Sequence, residues 1–100
     1  MPPFFSLTTS EAVTLSLLSS GHSLYGLQLV EASEGALKRG SVYVTLNRME
    51  EKGLVDSETV PAPPGEQGPP RRRYRITAPG VAALADYRNS LALVLSPIRP

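Results

Sequence analysis

One hundred residues, 41% of them apolar, suffice for one small globular domain with a thin core. The absence of cysteine excludes disulfides and thiol chemistry, and with a single histidine a metal site would have to rely on scattered carboxylates. A net charge of +1 does not itself imply a polyanionic partner, but its distribution does: residues 1–37 hold three acids and no Lys or Arg, whereas residues 38–75 hold eight basic and five acidic side chains.

The N-terminal MPPFFSL has no basic region, and nowhere do about 18 apolar residues run together, so neither a leader peptide nor a membrane span is expected. A cytoplasmic protein follows as the expectation. A first helix is predicted over residues 10–19, capped by Thr9 or Ser10, with Val13, Leu17 and Leu18 on one face. Ser19, Ser20 and Gly21 end it, and His22 reads as a turn residue. Ser23 then caps a second helix, residues 24–33, in which Gly26 is costly unless another backbone packs close there. A third helix, residues 40–52, has Val42, Leu46 and Met49 as a buried stripe, Ser41 at its start and Gly53 as a left-handed cap.

Two strands follow, residues 54–60 and 71–76, around PAPPGEQGPP, whose five prolines and two glycines cannot continue a helix. In the return strand the period of two sets Arg71, Arg73 and Arg75 on one side, pointing outward, and Arg72, Tyr74 and Ile76 on the other, pointing inward. A solvated strand edge kept from aggregating by its charges is the plainer account of these arginines. Thr77 caps a last helix beginning near Pro79, with Leu84, Tyr87, Leu91 and Val94 along one face and Pro97 and Pro100 as stops.

The order is helix, helix, helix, strand, wing, strand, helix: a mainly α fold with a small β-hairpin, a winged helix-turn-helix. Residues 1–77 are expected to form the winged unit, and residues 78–100 a C-terminal dimerisation helix in the same compact body. Three stretches carry a family resemblance: Leu17-Leu18 through GHSLYGLQL, GSVYVTLNRMEEKGLV, and PPRRRYRITAPGVAAL. In this order and spacing they resemble the PadR-like transcriptional regulators. Val44 departs from the family, which usually has proline after the tyrosine equivalent to Tyr43. The short last helix resembles the members with a small C-terminal domain, which are dimers, some binding aromatic drugs between subunits.

A major groove admits a helix whose early side chains read base edges. Ser41, Tyr43, Val44, Asn47, Arg48 and Lys52 are accordingly the predicted DNA-facing positions of the third helix, with Arg71 and Arg73 as phosphate contacts from the wing. Asn47 suits adenine and Arg48 suits guanine or a phosphate, while Tyr43 reads equally as a phosphate contact or a half-buried aromatic with a wet tip. Leu84, Tyr87, Leu91 and Val94 form the predicted dimer interface, because so small a core gains from a twin's apolar face. No recognisable catalytic constellation or phosphate-binding glycine loop occurs, so neither enzyme activity nor a cofactor is expected. The expected partners are double-stranded DNA and a second copy of the chain, in a dimeric repressor reading a palindromic operator. Two other readings stay open: a regulator released by an aromatic or phenolic effector at the subunit seam, and a winged helix that binds protein rather than DNA.

Overall fold

The computed structural model describes residues 7–62 and 64–95, with side chains described as far as Ala92. Its elements are α1 (Thr9–Leu18), β1 (Leu24–Tyr25), α2 (Gly26–Ala32), α3 (Val42–Glu51), β2 (Val55–Val60), β3 (Arg71–Ile76) and α4 (Ala78–Leu95). Pro97 and Pro100 lie outside the described residues.

Helix α1 starts earlier than the pattern predicts, because Thr8 and Glu11 cap each other. The Thr8 N–H donates to Glu11 Oε1 at 2.9 Å, and the Glu11 N–H donates to Thr8 Oγ1 at 3.1 Å. Ala12, Leu15 and Leu18 form its buried face, while Val13 and Leu17, predicted on one face with Leu18, sit half-buried on its flank. Glu11 is fully buried on the same face, where Lys52 Nζ meets its Oε2 at 2.9 Å. Burial is the largest single influence on this carboxyl and pushes its pKa up. The Thr8 N–H and the Lys52 ammonium together outweigh it and hold the group below the ordinary glutamate value.

The second helix corrects its prediction. Leu24 and Tyr25 do not open it but pair antiparallel with Tyr74 and Arg73, adding a third strand to the hairpin in the order β1-β3-β2. Pairing satisfies their backbone groups better than a frayed first turn would. The helix begins at Gly26, where the Tyr25 N–H donates to Gln28 Oε1 at 2.8 Å.

Helix α3 buries Val42, Leu46 and Met49 as predicted. Ser41 occupies the position before it but makes no side-chain cap. At the other end Gly53 takes φ +76, letting its N–H reach Glu50 O and the Leu54 N–H reach Met49 O at 3.0 and 2.9 Å. These bonds satisfy two carbonyls of the last turn and aim the chain straight into β2. Six residue pairs, from Val55↔Ile76 to Val60↔Arg71, then zip β2 to β3.

Thr77 fastens α4 in place. Its Oγ1 accepts from the Gly80 N–H at 3.1 Å and donates to Gly53 O at 2.6 Å, tying the start of α4 to the end of α3. Gly80 lies on the Leu54 carbonyl, where a Cβ would collide with backbone. The core gathers Leu15 and Leu18, Leu29, the α3 stripe, Leu54, Val55, Tyr74 and Leu84.

Candidate nucleic-acid interface

The α3 stripe faces the core, so the helix must turn its other surface outward. Tyr43, Val44, Asn47 and Arg48 are exposed there, with Ser41 just ahead of the first turn. Between this surface and the wing runs an open groove of about 920 Å³, lined by Tyr43 and Asn47 on one side and Pro70, Arg71 and Arg72 on the other. Tyr25, Leu27 and Gln28 from the start of α2 and Glu66 from the wing complete its walls, and Tyr74 forms part of its floor.

Gly26 explains the orientation of Tyr43. A Cβ at Gly26 would lie 2.6 Å from Tyr43 Cε1 and 2.8 Å from its Oη, so the missing side chain makes room for the ring. Close packing at this glycine was the condition set by the sequence; the packing group is a tyrosine ring rather than a backbone. Tyr43 is thus both packed and wet: its ring rests on α2 while almost half of the residue stays exposed.

Strand alternation holds for Arg72, on the face of Tyr74, and for Arg73 and Arg75 on the other, but the two faces do not lead where the sequence reading placed them. Arg72, expected to point inward, opens onto the groove, where its Nη1 donates to Glu50 Oε1 at 3.4 Å and Ser57 Oγ at 3.3 Å. Ser57 Oγ in turn donates to Glu50 Oε2 at 2.7 Å, so a carboxylate of α3 and a hydroxyl of β2 hold the guanidinium at the lip. Arg71 also lines the groove and pairs with Glu66 at 3.1 Å. Arg73, predicted to reach DNA, faces the other side of the sheet, paired with Glu58, with Arg75 and Asp56 beside it around a small hollow. Its Nε is buried with no hydrogen-bond partner among the described residues. Tyr74 beneath is buried, which raises its phenol above the ordinary tyrosine value despite the opposing pull of Arg72.

Two further predicted positions sit elsewhere. Lys52 turns away from the outer face of α3 to pair with Glu11, tying α3 to α1. Leu84, predicted at a subunit interface, is buried in the core of its own chain. Farther along α4, Tyr87 is half-buried and Leu91 exposed; the side chain of Val94 lies outside the described residues. The sequence reading missed Tyr25, Gln28 and Arg72 as walls of the groove.

Three helices, a three-stranded sheet with a long hairpin loop, and a fourth helix returning against α1 define a winged helix-turn-helix protein. The profile of the family described as "Transcriptional regulator PadR-like family" matches residues 14–86, and the chain belongs to that family, whose members regulate transcription and are not enzymes. Among solved structures it is similar to a transcriptional regulator from Thermoplasma acidophilum, at 29% identity and a TM-score of 0.68 over 85% of this chain and 80% of that one. A PadR family transcription regulator from Clostridium difficile shares the fold at 23% identity and a TM-score of 0.72, over 87% and 91% of the two chains. Bacillus subtilis PadR, solved in complex with operator DNA, shares it at 18% identity and a TM-score of 0.71, over 93% of this chain and 51% of that one. No curated protein sequence matches the chain. Among the described residues no helix is long and apolar enough to cross a membrane.

Proposed function

We propose that this protein is a sequence-specific DNA-binding regulator that represses transcription as a symmetric homodimer in the cytoplasm. The observation that carries the reading is the groove itself. A helix with exposed Tyr43, Asn47 and Arg48 stands beside a wing whose Arg71 and Arg72 open onto the same space. Helix α3 enters the major groove, and the wing arginines exchange their exposed carboxylate partners for phosphates. Such surface ion pairs contribute only about 0–1 kcal/mol, so the exchange costs little.

Dimerisation rests on α4, where Val81 and Leu91 are exposed at 54% and 44%. A two-fold dimer presents two reading helices to half-sites roughly 34 Å apart, and its occupancy of a promoter blocks transcription by occlusion. The resemblance of the fold to a regulator solved on operator DNA supports this reading.

Selection of bound duplexes from a random library tests it. A palindromic consensus is expected, with Asn47→Ala losing about 1–3 kcal/mol on that site and much less on random duplex. Equal losses on both would make Asn47 a backbone contact. No retained sequence, together with salt-independent binding, would leave a winged helix that binds protein.

A further inference from the structure

Five large apolar side chains are exposed among the described residues, and three of them, Leu27, Tyr43 and Val44, lie on α2 and α3. Leu27 and Tyr43 line the groove, each nearly half exposed. Val44 is the most exposed of the five, at 60%. It stands two residues after Val42, about 200° around the helix, so it occupies the centre of the outward face, flanked by Asn47 and Arg48. Valine is a costly choice there: the residue is 60% exposed and lies outside the core cluster, and a β-branched residue is a poorer helix former than alanine.

We infer that Val44 selects thymine by burying its side chain against a C5-methyl group in the major groove. This rests on the DNA-binding reading given above and adds to it the base and the chemistry. Valine can neither donate nor accept a hydrogen bond. Pressed against the N7 and O6 of guanine, the N6 amine of adenine or the N4 amine of cytosine, it would strip water from a polar atom and offer nothing in return. The thymine methyl is the apolar feature among the major-groove edges of the four bases, so it is the partner that gains from Val44. The side chain therefore acts in both directions, gaining from one base and penalising the others. Its place in the first turn of α3, next to Tyr43 and one turn before Asn47 and Arg48, puts this preference inside the half-site those residues read.

The test uses the full chain and its library-selected duplex. Each thymine of one half-site is replaced singly by deoxyuridine, which removes the methyl and leaves base pairing intact, and dissociation constants are measured for wild type and Val44→Ala. At one thymine the wild type should lose about fourfold, the worth of one buried methyl-sized group, and Val44→Ala should lose nothing further there. The variant should fold as the wild type does, because the side chain it shortens is exposed; circular dichroism checks this. If Val44→Ala is as sensitive as the wild type at every thymine, Val44 reads no methyl, while the DNA-binding reading stands. If neither protein binds any duplex, both readings fall.

Discussion

Arg72→Ala and Arg73→Ala, two adjacent substitutions of the same residue type, should differ sharply in their effect on DNA binding. Arg72 lies at the groove lip, 53% exposed at its side chain and held by long contacts to Glu50 and Ser57. Arg73 lies on the opposite side of the sheet and pairs with Glu58. A phosphate contact on duplex DNA contributes about 0.9 to the slope of log affinity against log salt. Arg72→Ala should therefore flatten that slope by about one unit, and adding Arg71→Ala should flatten it by about two. Over a rise from about 50 to 200 mM salt, each lost contact makes the variant about 3.5-fold less salt-sensitive. Arg73→Ala should leave the slope where it was. Fluorescence anisotropy on a random duplex across a salt series measures all three, with melting curves to show that each variant is folded. Equal slopes for Arg72→Ala and Arg73→Ala, or a loss confined to Arg73, would refute the placement of the wing on DNA.

Lys52→Met removes the partner of a fully buried carboxylate and should cost about 1–3 kcal/mol at neutral pH. In the wild type the lowered folded pKa of Glu11 gives a contribution to stability that is present above the unfolded value of about 4.3 and is lost as pH falls through the folded one. Without Lys52 that pKa moves up, so the stability gained between about pH 3 and pH 7 should shrink; urea unfolding with the wild-type pH dependence would show that Lys52 does not hold the carboxylate. Leu91→Glu places a charge on the exposed stretch of α4, and with about 1.5–3 kcal/mol at stake for each fully buried leucine it should drive dimer to monomer in sedimentation equilibrium. Operator affinity should fall with it, and a folded variant that stays dimeric would place the interface elsewhere.

Most of the fold was legible because its elements announce themselves by chemistry acting over a few residues. The stripe of Val42, Leu46 and Met49, the left-handed cap at Gly53, the bounds of β3 and the Thr77 cap all emerged where the pattern put them. The misreadings fell where a long-range contact decided the outcome. Leu24 and Tyr25 have an adequate helical pattern, and only the arrival of β3, some fifty residues later, makes them a strand. Lys52 reads as a groove-facing cation until α1 brings a buried carboxylate against it. Of the interface, the exposed positions of α3 could be read from the helical period, whereas the walls supplied by Tyr25 and Gln28 depend on how α2 meets the sheet.

The wing arginines and the last helix share one further lesson. Alternation correctly put Arg72 on the face of Tyr74 and Ile76, and the helical period correctly aligned Leu84, Tyr87 and Leu91. What neither period carries is how far the core extends along the element. Tyr74 is 1% exposed because α1 and α2 pack against β3, but two residues toward the wing tip the cover has ended, and the same face opens onto the groove at Arg72. Along α4 the cover reaches Leu84 and thins by Leu91. In both elements the side chains that point toward the interior, but lie beyond its edge, are the ones left for a partner. A period names a face; the reach of the core decides which stretch of that face is spent on folding and which stays exposed, open to the partners proposed above.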